Sequence, residues 1–201
     1  MPEILTLESL ENDLWLRLND LDHGNYSQTE IDACINVGYR ESQIATKSNS
    51  KVVQISTQGN VNQYTCPGVF EIIGVSNGTS DLDKIRLSDV SLDSPSWAAT
   101  GSSARSGWIP LSGDSFLITP KPTGAQVLYI LGYAVSDLLA NPGDIANALP
   151  DGLGKPLILD RAEAEARRMR PTHAGNLQLY TDLMTKWGGW AQMARGADKG
   201  E

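Results

Sequence analysis

A chain of 201 residues with 40% hydrophobic content can bury the core of one domain, or of one domain carrying an insertion, and is too apolar to be disordered over most of its length. No apolar run approaches the roughly 18 to 20 residues of a membrane helix, and residues 1–10 lack the basic start and apolar stretch of a signal peptide, so the chain is expected to be soluble and intracellular when made. A formal net charge of −8 argues against a partner nucleic acid wrapped on its surface. The first predicted element is a helix: Leu7, Leu10, Leu14, Leu18 and Leu21 recur at steps of three and four and make one apolar stripe. Thr6 is placed to cap it, Leu5 and Leu10 are spaced as a hydrophobic staple, and His23-Gly24-Asn25 breaks it. The second helix opens on a capping box, Ser27-Gln28-Thr29-Glu30, with Tyr26 and Ile31 as its staple. Ile31, Cys34, Ile35, Gly38 and Ala45 form its stripe, and it is expected to fade at Ser48-Asn49-Ser50.

From Lys51 the period changes to two. Val53, Ile55 and Thr57 alternate as in a half-buried strand. Further strands are predicted over 69–75, 84–87, 107–111, 115–119 and 125–133, separated by turn-formers such as Asn77-Gly78, Ser112-Gly113-Asp114 and Pro120-Lys121-Pro122-Thr123-Gly124. Helix returns over about 153–169, where Pro156 is tolerable only in the first turn and Pro171 forces a stop. Thr172 is placed to cap a fourth helix carrying Tyr180, Leu183, Met184, Trp187 and Ala191, weakened near its end by Gly188-Gly189. The expected fold is therefore α+β. N- and C-terminal helix pairs form a four-helix bundle (1–50 plus 150–195), a small antiparallel β-sandwich or barrel (51–149) is inserted between them, and 196–201 is a flexible tail.

The search for chemistry yields little. Cys34 and Cys66 have no CxxC spacing, so neither zinc nor a redox motif is indicated, and Cys34 reads as a small buried hydrophobe. His23 and His173 each fall in a turn between helices. No HExxH or phosphate-binding glycine loop is present, Gly113-Asp114-Ser115 lacks the closing glycine of a nucleophile elbow, and Gly152-Leu153-Gly154 lacks the third glycine of a dinucleotide site. Asp160, Glu163 and Glu165 interleave with Arg161, Arg167, Arg168 and Arg170; ion pairing on a solvated helix face accounts for them better than acid–base catalysis. Trp97 and Trp108 flank a loop at Thr100-Gly101-Ser102-Ser103-Ala104, and packing at a sandwich edge is favoured over sugar stacking. Trp187 and Trp190, three apart beside two glycines, read either as the edge of the helical core or as an anchor for a neighbouring subunit. No catalytic, cofactor or metal residues are expected, and no enzyme.

The β region carries a resemblance. Tyr64-Thr65-Cys66-Pro67 leads into Val69-Phe70-Glu71-Ile72-Ile73-Gly74-Val75. After it come Ser94-Pro95-Ser96-Trp97, Gly107-Trp108-Ile109-Pro110, Phe116-Leu117-Ile118-Thr119-Pro120-Lys121-Pro122 and Ala125-Gln126-Val127-Leu128-Tyr129-Ile130-Leu131-Gly132-Tyr133. This series, with helices before and after it, resembles the head–tail connector (portal adaptor) proteins of tailed phages over nearly the whole chain. It departs where Gly152, Gly154 and Pro156 open the third helix in place of a firmer start. The resemblance implies a structural virion protein of the neck, made in the host cytoplasm. It would form a homo-oligomeric ring, commonly of twelve copies, below the portal protein and above a tail or nozzle protein, with genomic DNA passing through the bore during ejection without specific binding. A head-completion or tail-terminator protein is the alternative within that class, and a carbohydrate-binding module using Trp97 and Trp108 lies outside it.

Charge is unevenly placed. Residues 1–50 hold nine acids against three bases, a net of −6, whereas residues 151–201 hold seven against eight, a net of +1. Like subunits are thus expected to repel in solution and to be monomeric or weakly associated until gathered on the portal. Trp187, Trp190, Met193, Arg195 and Lys199 are the expected portal-docking residues: apolar contacts past a glycine pair, with positive charge on an otherwise acidic subunit.

Overall fold

The computed structural model describes residues 4–87, 106–150, 152–173 and 175–197. It is mixed α+β, with four helices and two sheets among those residues. Contacts divide the chain into two compact units, Met1–Asn49 with Ser136–Glu201, and Ser50–Val135. The expected tail at 196–201 lies largely outside the described residues.

In the helical unit, α1 (Leu7–Leu18) and α2 (Gln28–Thr46) each start on a capping box. Thr6 accepts from the Ser9 N–H at 3.2 Å while its own N–H donates to the Ser9 hydroxyl at 3.0 Å, and Ser27 and Glu30 make the corresponding exchange around α2. Asn19 and Lys47 close the two helices in the left-handed conformation. Leu7, Leu10 and Leu14 are buried as the stripe requires, but Leu21 lies beyond the end of α1 and is exposed. The turn is held instead by Asp20, whose carboxylate accepts from the N–H groups of Gly24, Asn25 and Tyr26.

The helix α3 (Gly154–Met169) packs against α1, α2 and α4 (Asn176–Ala197). The two ends of the chain thus meet in one unit, and α3 is buried along most of its length. Pro156 sits in its first turn, where no intrahelical N–H is lost. Gly38 lets α2 approach: a Cβ there would lie 2.4 Å from the Ile158 carbonyl oxygen. The fourth helix begins at Asn176, not after a Thr172 cap. Residues 171–173 form a turn, Gly175 adopts φ +81, and the Asn176 side chain donates to the Arg170 carbonyl at 2.7 Å.

The boundary expected at 149/150 falls earlier, between Val135 and Ser136. Residues 136–149 have no regular period, yet their backbone is tied to the helices. The Leu139 N–H donates to Asn36 Oδ1 at 2.8 Å, Ala146 N–H to the Leu5 carbonyl at 2.8 Å, and Leu7 N–H to the Asp144 carbonyl at 3.0 Å. Leu139 and Ala146 are buried with the α1–α3 side chains.

The second unit holds β1 (Ser50–Ser56), β2 (Gln63–Thr65), β3 (Val69–Ser76), β4 (Asp83–Lys84), β5 (Gly107–Pro110), β6 (Ser115–Thr119) and β7 (Val127–Ala134). Two sheets form, β1-β7-β3 and β2-β6-β5-β4, and neither closes into a barrel among the described residues. All pairings are antiparallel except β4 with β5, which is parallel and departs from the expected all-antiparallel arrangement. The connection between those two strands runs from residue 85 to 106, long enough to return the chain in the same direction. Cys66, Val69, Ile72, Val75, Leu128 and Ile130 share a core with Trp108, Phe116 and Ile118, so both sheets contribute to it. The short β2 gives no periodic signal; it is held by Tyr64 lying opposite Phe116.

Candidate functional site

The expected docking residues lie on the second half of α4, and the structure places them unequally. Trp187 and Trp190 are half-buried against Leu157, Ala191 and Ala194, with Ala45 and Leu153 alongside. The Trp187 indole N–H donates to Ser42 Oγ at 3.2 Å and that of Trp190 to Asp160 Oδ2 at 3.0 Å. Arg195 donates through Nε to the Ala45 carbonyl, which would otherwise be an open acceptor near the end of α2. Met193 points outward at 53% exposure. Lys199 lies outside the described residues.

Beneath this helix runs a band of charge that was expected on a solvated face and is instead buried. Asp160 has no exposed surface, and Glu163, Glu165 and Arg161 are nearly as enclosed. The physical reason is that α3 has neighbours on three sides, so charges distributed all around it cannot all reach water. They are paired instead. Asp160 is met by Arg17 at 2.6 Å, Lys186 at 3.0 Å and the Trp190 indole. Arg167 holds Glu163 at 2.7 Å. Arg161 bridges Glu41 at 2.5 Å and Glu165 at 3.1 Å, and Arg168 reaches Glu165 at 2.5 Å. Arg170 ties the end of α3 to Glu30 at 2.8 Å. The Arg168 hydrogen bond, outweighing burial, holds the Glu165 carboxyl below its ordinary range. Burial would lower Arg161, but Glu41 and Glu165 raise it above its usual value. These carboxylates are engaged as acceptors that fix α1, α2 and α4 onto α3, which suits a positioning network.

The remaining candidates resolve individually. Burial pushes the Cys34 thiol up to about 12, and its sulfur lies 3.8 Å from that of Met169, so it packs as a hydrophobe. His23 stacks on Trp15 with ring centroids 4.1 Å apart, and His173 is exposed in the α3–α4 turn. Trp108, offered as a sugar platform, is 1% exposed, edge-on to Phe116 and capped by Lys84 at 5.3 Å. Its ring faces are therefore not open to a sugar; Trp97 and the 100–104 loop lie outside the described residues. Among the described residues there is no cluster of three His, Cys, Asp or Glu suited to a metal, and no helix long and apolar enough to cross a membrane.

The model of one protein family, the SU10 adaptor protein, matches residues 5–196. The chain belongs to this family. An SU10 adaptor protein is a phage head–tail adaptor, a structural component of the virion that meets other head or tail proteins. No curated protein matches the chain. The matched residues take in both units, from before α1 to the last turn of α4. The buried hub at Asp160 escaped the sequence reading, although a signal was present. In 160–168 acids and bases leave only the Ala162–Ala166 side of the helix uncharged, a spread wider than one solvent face.

Proposed function

We propose that this chain is one copy of a ring of twelve, seated beneath the portal protein in the virion neck and above the tail or nozzle protein. The ring matches the head's exit to the tail, and the genome passes through its bore. The observation that carries this reading is the family match across 5–196, which leaves no room for a second, unrelated module in the described chain. The charge agrees: a subunit of net −8 lining a conduit repels phosphates, so DNA slides without being held. The work is mechanical, with no catalytic step and no cofactor.

The docking segment for the portal is the C-terminal end, from Trp187 onward. Trp187 and Trp190 set the helix on α2 and α3, while Met193, Arg195 and Lys199 are the groups offered to the partner. Truncation after Gly189 would strip Trp190, Ala191 and Ala194 from Leu157 and lower stability by itself. The cleaner test is a chain lacking 196–201 that carries Met193→Ser and Arg195→Glu. Portal binding is expected to fall roughly tenfold or more with a melt shifted by only a few degrees. Wild-type binding by this variant would rule the segment out.

A further inference from the structure

The sheet β1-β7-β3 has two edges, and they differ. Along β1 the register with β7 runs unbroken from Ser50↔Tyr133 to Ser56↔Val127. Just beyond it the Thr57 N–H donates to the Gln126 carbonyl at 2.8 Å, which fixes the alternation of the ladder. Lys51, Val53 and Ile55 turn their backbone groups toward β7, and Ser50, Val52, Gln54 and Ser56 turn theirs to the outside. Among the described residues none of those outward N–H and C=O groups meets a partner. The strand has no proline, no bulge and a single charge, Lys51, so it lacks the devices by which sheet edges are usually blunted.

The side chains show the same open margin. Leu128 and Ile130 of β7 are 2% and 0% exposed, while Ile55 and Val53, directly opposite them, are only half-buried against the same core. On the other face Val52 is 59% exposed and lies opposite Leu131, itself 40% exposed. A further strand laid along β1 would satisfy the outward backbone groups, and its alternate side chains would cover Val53 and Ile55 on one face and Val52 on the other.

The other described strands of this chain do not supply it. β3, the opposite edge, shifts register in two places, and the chain folds back there, Leu82 donating to the Val75 carbonyl. β2 and β4 are three and two residues long. Pairing β1 with the β1 of a second copy would join two subunits of net −8 across a two-fold axis, against their repulsion, and would close as a pair. As a head–tail adaptor the chain meets other head or tail proteins. We infer that β1 receives an extended segment of such a protein as a fourth strand of the sheet, with aliphatic side chains at alternate positions and no proline where it meets Val52 and Gln54. Main-chain hydrogen bonds hold the segment, and the alternation over Val53 and Ile55 selects it. The contact is separate from the C-terminal docking segment and holds for any number of copies in the neck.

The test separates backbone from side chain at Gln54. Its N–H points outward, so Gln54→Pro removes an edge donor and sets a ring at the open edge while the bonds to β7 stay. Gln54→Thr keeps the donor and suits a strand. DNA-filled, tailed particles carrying Gln54→Pro are expected to fall roughly tenfold or more, with the chain's own melt shifted by only a few degrees, and Gln54→Thr particles to match wild type. A folded Gln54→Pro chain that assembles like wild type overturns the contact, and an equal loss with Gln54→Thr does so too, by assigning the effect to the side chain. Should Gln54→Pro not fold, hydrogen exchange of the wild-type chain decides. The Val52, Gln54 and Ser56 amides are expected to exchange fast in the isolated chain and roughly tenfold or more slower in virions. Equal exchange in both overturns the contact, as does virion density that shows β1 bare or paired with a second copy. A neck with a different number or place of copies overturns the ring reading and not this contact.

Discussion

Asp160 is the residue on which most of the helical unit depends. It lies fully enclosed, and three donors from α1 and α4 converge on it. Removing a buried partner leaves the others desolvated and unpaired, a loss of about 3–5 kcal/mol where the whole pair is buried. Arg17 and Lys186 keep about a third to a half of their surface in water, so Asp160→Ala is expected to cost about 2–3 kcal/mol. Lys186→Met, which leaves Asp160 two donors, is expected to cost under about 1 kcal/mol; thermal melts of the two variants check the order. At Gly38 the limit is space: Gly38→Ala would push α2 off the Ile158 carbonyl and is expected to cost about 1–3 kcal/mol in a denaturant titration. Acid sensitivity follows from carboxylates held low. Backbone N–H donation from Ser27 and the Arg170 side chain bring Glu30 to about 2. Burial would raise Asp20, but donors from Tyr26, Asn25 and Gly24 outweigh it and lower it; Glu165 is lowered by Arg168. A lowered folded pKa contributes stability that is fully present above the unfolded value and is lost as pH falls through the folded one. Glu11, raised, acts in the opposite sense, its penalty easing as pH falls. The melting temperature is therefore expected to fall below about pH 4.5. Glu30→Gln should flatten that decline between the ordinary carboxylate range and about 2 while keeping a neutral cap partner.

At the scale of elements, α4 separates into a half from Trp187 onward that packs on Leu157 and Ala45 and a first half whose Leu177 and Leu179 are exposed. Trp187→Ala and Trp190→Ala should loosen its attachment by roughly 2–4 kcal/mol each, since part of each ring stays in water, whereas Leu177→Ser should leave the isolated chain's melt nearly unchanged. Hydrogen exchange along the helix checks this, with slower exchange expected from 187 than from 177 to 184. Elements were legible in the sequence where local chemistry defines them. The capping boxes at Thr6 and Ser27, the stop at Pro171 and the alternation through β1 each follow from neighbours a few residues apart. What escaped depends on distant partners. Residues 136–149 belong with the helices because Asn36, Leu5 and Leu7 take up their backbone groups. The three-residue β2 exists because β6 pairs with it. The charges of α3 are enclosed because three helices surround it. For the docking residues, spacing identified Trp187 and Trp190 as special. That their indole N–H groups are bound to Ser42 and Asp160 could be read only from the packed chain.

At the scale of the whole molecule, the chain is an acidic phage head–tail adaptor, proposed to associate weakly when free and to be gathered by the portal. Sedimentation of the free chain at micromolar concentration is expected to show monomers or weak association, because each copy carries −8. Raised salt should ease that general repulsion. The most direct test is electron cryo-microscopy of the neck in intact virions, with this chain built into the density. The account predicts a closed ring of this chain directly beneath the portal, with residues from Met193 onward against portal subunits and an open bore on the particle axis. Density for the chain elsewhere in the particle, or a neck in which another protein occupies that ring, would contradict it.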